Sequence, residues 1–231
     1  VSQINREMKI KKINTANVVI YALLAAIAMA AYMVWNYISY GQWFLDSSMQ
    51  GLMKAIRTPW LDAVFRALTA TGETLPVIIV TALLIIVLFI YKKHMEAIMV
   101  AIYMLGVWRF NELLKVLIHR PRPDVSLHLV DIGHYNEANS FSMPSGHSMN
   151  LMALVLLSIY LIWIFSKNKK FNIGATVVLL LYGLLTGLSR VYLNVHYISD
   201  IITGWSLSIA WISAAVILYR LLCTRVNKYN P

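Results

Sequence analysis

Near the C-terminal end of the chain, Ser189-Arg190 is followed after five residues by His196 and after three more by Asp200. If residues 191–200 are helical, His196 and Asp200 stand at i and i+4 and share a face. The carboxylate can then accept Nδ1–H, fix the tautomer and leave Nε2 with a lone pair for nucleophilic attack. An aspartate capping a helix beside an interfacial histidine is the plainer account of the pair. Upstream, Pro144-Ser145-Gly146-His147-Ser148 precedes an apolar run, a place where unpaired backbone N–H groups and the helix dipole favour an anion. Gly146 lets the backbone approach that anion and Ser145 can donate a hydroxyl; an ordinary helix start would use the same residues. Farther upstream, Lys115 is followed after six residues by Arg122-Pro123, with Glu112 at i−3 as an available partner. Taken alone, Lys115 would snorkel to an interface while Arg120 and Arg122 were solvated loop charges.

Taken together, the three groups supply three cations, one helix start, two histidines and an orienting carboxylate. That set suits a phosphoryl group, whose transfer needs mainly positioning and charge stabilisation. His119, His128 and His134 share one loop but lack the close spacings of zinc sites. No metal ligand and no cofactor is expected; Lys115, Arg122 and Arg190 would act where a divalent cation acts elsewhere.

Elements that could hold these residues follow from hydropathy. The 231 residues are 59% hydrophobic and 13% charged, with mean hydropathy +0.66, far more apolar than soluble domains. Six stretches, 17–38, 75–91, 97–118, 148–165, 172–188 and 201–222, approach the roughly 20 apolar residues that cross a bilayer. The chain therefore reads as an all-α integral membrane protein, one six-span domain over residues 1–231. The net charge of +10 does not point to nucleic acid, because twelve of the 20 basic residues flank the spans on one side. By the positive-inside rule that side is cytoplasmic, with both termini, and the three groups above all fall at the opposite face. The first external connection, 39–74, carries Met49, Leu52, Met53, Ile56, Trp60, Val64, Phe65 and Leu68 at helical spacing with charges between them. A short amphipathic helical segment on the membrane surface, interrupted near Pro59, is expected there. Ala28-Met29-Ala30 imitates a secretory cleavage site, but the apolar run continues through Trp35, so an anchor is expected. The single cysteine, Cys223, reads as a packing residue.

Lys115-x6-Arg122-Pro123, Pro144-Ser145-Gly146-His147 and Ser189-Arg190-x5-His196-x3-Asp200 resemble, in order and spacing, the three-part signature of the type-2 phosphatidic acid phosphatase superfamily. Within it the sequence is most similar to the bacterial phosphatidylglycerophosphatase B branch. The resemblance implies a metal-independent lipid phosphate phosphatase of the bacterial cell membrane. In it His196 attacks phosphorus, Asp200 supports it, His147 protonates the leaving oxygen, and Lys115, Arg122, Ser145, Gly146 and Arg190 bind the phosphate. It also implies a lipid phosphate entering from the bilayer, with phosphatidylglycerol phosphate the first candidate and undecaprenyl diphosphate, the lipid carrier of the cell wall, the second. No obligate protein partner is expected. A lipid headgroup transporter or scramblase would use the cations but give His196-x3-Asp200 no task. A vanadate-dependent haloperoxidase would share the anion pocket, but those relatives are soluble.

Overall fold

The computed structural model describes residues 2–124, 127–130 and 141–229, with side chains from 17 through 219 and at 221 within those ranges. Among them are α1 (Ser2–Tyr40), α2 (Phe44–Ala55), α3 (Pro59–Thr71), α4 (Thr74–Ile90), α5 (His94–Ile118), α6 (Gly146–Phe165), α7 (Lys169–Tyr192) and α8 (Ile198–Tyr229). Among the described residues five helical stretches are long and apolar enough to cross a membrane: Asn17–Tyr40, His94–Ile118, Gly146–Phe165, Lys169–Tyr192 and Ile198–Tyr219. The short α4 joins α3 at a 49° bend, and the two pass the same test as a pair.

Local chemistry sets the ends of these helices. Pro59 opens α3 at a first-turn position, where its missing N–H costs nothing. α5 stops because His119 adopts a left-handed conformation (φ 53°) and Pro121 follows. Ser145 caps α6 by accepting from Ser148 N, and Asn168 caps α7 by accepting from Phe171 N.

α6 is the centre of the bundle, packed against α5, α7 and α8, while α1 lies along α8. Its residues Met149, Leu151, Ala153, Leu154, Val155, Leu157 and Leu161 are buried in one apolar core with Val100, Tyr103 and Val107 of α5. A helix enclosed by three others is apolar all round, which is why α6 shows no one-sided pattern. Between helices in lipid the attraction is close packing rather than water release, so small residues mark the contacts. At Gly204 a Cβ would lie 3.1 Å from Ser145 O and Met149 N, so glycine lets α8 reach the start of α6. At Gly187 a Cβ would come within 2.6 Å of the Trp205 ring, so α7 and α8 interlock there.

The interval 191–200 departs from the sequence expectation. α7 ends at Tyr192 and α8 begins at Ile198, with Asn194 left-handed (φ 60°) between them. His196 and Asp200 therefore do not lie on one continuous helical face. The turn is closed by Val195 N and His196 N, which both donate to Arg190 O.

Gly187→Ala should destabilise the α7–α8 contact by roughly 1–3 kcal/mol, the usual range for overpacking. The expected readout is a lower thermal unfolding midpoint in detergent, with Gly174→Ala, where nothing lies within 4 Å of the added carbon, not lowering it.

Candidate active site

Four helix ends meet at one end of the bundle. The last turn of α5 brings Lys115, the start of α6 brings Ser145, Gly146 and His147, the end of α7 brings Arg190, and the start of α8 brings Asp200. The turn after α5 adds Arg122 and the turn before α8 adds His196. Alternating helix directions produce this convergence, because every second connection falls at the same end.

His196 is almost wholly buried, and both ring nitrogens are engaged. Arg122 Nη1 lies 3.1 Å from Nε2 and also donates to Val195 O at 3.0 Å. Because a guanidinium only donates, Nε2 accepts there and the proton belongs on Nδ1. Nδ1 is 3.2 Å from Ser142 Oγ and 3.4 Å from Asp200 Oδ2, while the Ser142 hydroxyl itself donates to Asp200 Oδ2. Asp200 Oδ2 also accepts Tyr197 N at 2.9 Å, which fixes the carboxylate to the turn that carries His196. The tautomer expected from the spacing is thus met by a different route, with the Ser142 hydroxyl between imidazole and carboxylate.

Lys115 is buried and donates to Phe141 O at 2.7 Å. It does not snorkel, and Glu112 bonds Arg109 at 3.2 Å. Asn111, one helical turn earlier, donates to Pro144 O and lies where a Cβ on Gly146 would be 3.2 Å from its Oδ1. Gly146 therefore admits a close approach of α5 to the start of α6. Ser145 Oγ accepts from Ser148 N and Ser148 Oγ, and Ser145 N donates to Asp200 O at 3.2 Å. Arg190 donates through Nη1 to Thr69 Oγ1 at 2.7 Å, while its buried Nε has no hydrogen-bond partner among the described residues. The same is true of His147 Nε2, which lies in the combined field of Arg190, His196, Arg122 and Lys115.

Burial, followed by the charges of Arg122, Lys115 and Arg190, holds the His196 pKa well below the ordinary histidine value, so its imidazole is neutral at physiological pH. Burial also pushes Arg122 down to about 10, against the attraction of Asp200, and leaves it cationic at neutral pH. A neutral imidazole whose Nε2 lone pair is held only by a displaceable Arg122 donor, beside three cations and an unpartnered histidine nitrogen, has the makings of a site that takes a tetrahedral anion and attacks its central atom.

The sequence spacing brought out all eight of the candidate residues, and the structure gathers them. It corrects Arg120, expected as a solvated loop charge: the side chain is 1% exposed and ion-paired to Asp46 and Asp200, each at 2.7 Å. Asp46, Ser142, Asn111 and Thr69 were missed. Asp46 had a legible signal, an acid directly after the apolar run Trp43-Phe44-Leu45 in a membrane-proximal stretch, where an unpaired charge is costly. Of the loop histidines, His134 lies outside the described residues, and His128 Nε2 is 3.2 Å from Pro123 O.

The model of the PAP2 superfamily matches residues 95–222, which contain all eight candidates. The chain is similar to phosphatidylglycerophosphatase B of Bacillus subtilis (strain 168), with 31% identity over 175 residues, 71% of this chain and 80% of that protein. It is similar in structure to a transmembrane PAP2-type phosphatidylglycerolphosphate phosphatase from Bacillus subtilis, with TM-score 0.72, 25% identity, and coverage of 87% of this chain and 96% of that one. LpxE of Aquifex aeolicus shares the fold, with TM-score 0.57, 22% identity, and coverage of 75% and 96%.

Titration of His196 by 15N NMR in detergent should give a midpoint well below 6.5. Arg122→Gln removes a charge that opposes the imidazolium, so the midpoint should rise toward the ordinary value.

Proposed function

The chain belongs to the PAP2 superfamily and is a membrane lipid phosphatase; from that premise we propose that it hydrolyses phosphatidylglycerol phosphate to phosphatidylglycerol and inorganic phosphate through a phosphohistidine. The observation that carries this reading is the state of His196, neutral and donating through Nδ1 toward Ser142 and Asp200, with Nε2 facing Arg122. A phosphoryl oxygen takes over the Arg122 donor, which leaves the Nε2 lone pair to phosphorus. Lys115, Arg122 and Arg190 neutralise the three phosphoryl oxygens, the part a metal plays in other phosphoryl transferases, and Ser145 and Gly146 bring the start of α6 to the same group.

In the first step the Nε2 lone pair forms the N–P bond as the bond from phosphorus to the glycerol oxygen breaks. His147, which takes up a proton when the phosphate dianion binds, gives that proton to the oxygen, and the neutral alcohol of the lipid leaves. In the second step water attacks phosphorus, His147 takes the water proton, and the N–P bond breaks to return neutral His196 and inorganic phosphate. Asp200 stabilises the positive charge that His196 carries while phosphorylated, partly through the Ser142 hydroxyl. A scramblase would use the cations but leave the His196–Ser142–Asp200 relay without a task. Undecaprenyl diphosphate is the second substrate, since its terminal phosphate presents the same group.

The arrangement in the bilayer is part of the proposal. Six crossings follow if α4, with α3 bent against it, forms the second. α2 and the first part of α3 lie along the surface, which their exposed Phe44, Leu52, Trp60 and Val64 support. Lys92, Lys93, Lys167, Lys169 and Lys170 sit at the helix ends opposite the site, and by the positive-inside rule this supports cytoplasmic termini and a site at the extracytoplasmic face. Residues 1–231 then act as one domain.

A cysteine introduced at Asn194 should label with a membrane-impermeant reagent from outside, and one at Asn168 should not; the reverse pattern overturns the orientation. Phosphate release from a panel of lipid phosphates in detergent with EDTA present should be fastest on phosphatidylglycerol phosphate. His196→Ala should abolish turnover and the acid-labile, alkali-stable phosphoenzyme trapped by rapid quench. His147→Ala should cost lipid turnover about 10²–10⁴-fold, the usual contribution of a general acid, but far less on nitrophenyl phosphate, whose leaving group needs no proton. Label on His147, or near-normal turnover by His196→Ala, would overturn these roles.

A further inference from the structure

Arg120 lies outside the residues that would touch a phosphate, yet its guanidinium is held on every side. Nη2 donates to Asp46 Oδ2 at 2.7 Å, and Nη1 donates to Asp200 Oδ1 at 2.7 Å and to Ser199 Oγ at 2.6 Å. The rings of Tyr197 and Tyr37 lie 4.2 and 5.0 Å from its central carbon. Asp46, fully buried, accepts further from Trp43 N, Ser199 N and Ser199 Oγ at 3.0, 3.0 and 2.8 Å. The two oxygens of Asp200 thus have separate partners: Oδ1 goes to Arg120, and Oδ2 to Ser142, Tyr197 N and His196.

We infer that Asp46 and Arg120 are positioning residues for catalysis, a buried ion pair that aims the Asp200 carboxylate at His196 and keeps its negative charge available there. This role rests on the reading of His196 as nucleophile. The planar guanidinium fork fixes the direction of Oδ1 and with it that of Oδ2. Charge gives the pair its second function. Arg120 beside Asp200 alone would cancel the carboxylate that stabilises a positive His196. Asp46 balances Arg120, so the group of three keeps one net negative charge. Without Arg120 the two buried carboxylates would face each other with no cation between them. Sequence distance hides the arrangement, because Asp46 comes from α2, in the connection between the first two apolar runs.

Asp46→Asn keeps the shape and removes the balancing charge. Lipid phosphate turnover by this variant should fall about 10–100-fold in kcat, the scale set by small misplacements remote from the reacting atoms, with KM moving less than about twofold because the phosphate ligands are untouched. Phosphoenzyme formation in rapid quench should slow by the same factor. The groups facing His196 are Lys115 from α5, Arg122 and Arg120 from the turn after it, His147 from α6, Arg190 from α7 and Asp200 from α8. None of these is altered, so loss of a nearby negative charge should move the acid limb of kcat/KM to lower pH. Arg120→Lys keeps the charge and loses the fork, so it should lower kcat without moving that limb. A brace without catalytic consequence would change the thermal midpoint and leave kcat and the acid limb of the folded protein where they were. Parental kcat in folded Asp46→Asn, or an unmoved acid limb, overturns the role. If Asp46→Asn does not fold, Ser199→Ala, which retains every charge, and Arg120→Lys decide the matter. Both should lower kcat and the rate of labelling at His196, and parental values in both overturn the role. Phosphoenzyme that still forms in His196→Ala overturns the nucleophile reading instead, and is read independently of the Asp46 result.

Discussion

A guanidinium buried between two carboxylates determines where the helix ends of this protein meet. Removing charges from water costs several kcal/mol per ion even after relaxation, and only good geometry with further hydrogen bonds offsets that cost. Arg120, Asp46 and Asp200 satisfy the condition through Ser199, Trp43 N, Tyr197 N and Ser142. Those partners come from the start of α2, the connection before α6 and the start of α8, so the network tolerates few arrangements of α2, the turn after α5, and the start of α8. Both carboxylates and the guanidinium are buried away from water, where charges interact strongly, and that makes the constraint strong.

The rest of the site can be understood as a consequence. With Asp200 tied down, the turn before α8 holds His196 against Arg122 and Ser142, and Ser145 N reaches Asp200 O to bring the start of α6 alongside. Lys115, Arg122 and Arg190 then converge. Three cations gathered in a poorly solvated place repel one another, and the arrangement is relieved when an anion with several oxygens enters. Burial, and after it the same crowding, keeps His196 neutral, so in the proposed mechanism the cations that would bind phosphate also help to hold the nucleophile unprotonated.

Packing holds this polar end on an apolar stem. α6 is enclosed by α5, α7 and α8, and the small residues at Gly187 and Gly204 allow the separations that put Arg190, Ser145 and Asp200 within one site. A bundle that was merely apolar would be free to slide by a turn; the interlocked Trp205 and the capped start of α6 remove that freedom. The polar network and the stem therefore set the same register from opposite ends.

Much of this was legible along the chain. Long apolar runs determined helices at the membrane, since only a helix satisfies its own backbone in lipid, and alternating connections determined that Lys115, His147, Arg190, His196 and Asp200 share one end of the bundle. Spacing also named the residues, because each cluster is local: a lysine seven residues before Arg122, a histidine four before Asp200. What only the tertiary structure decided is how those clusters bind to one another. The His196–Asp200 contact is made by a turn between α7 and α8, with Ser142 inserted from another connection. Arg120 is a buried ion-pair partner of Asp46, 74 residues away, where local reading gave a solvated charge. Hydropathy and periodicity report on a residue's own helix, whereas the partner of a buried charge is chosen by whichever distant segment can reach it with the right geometry.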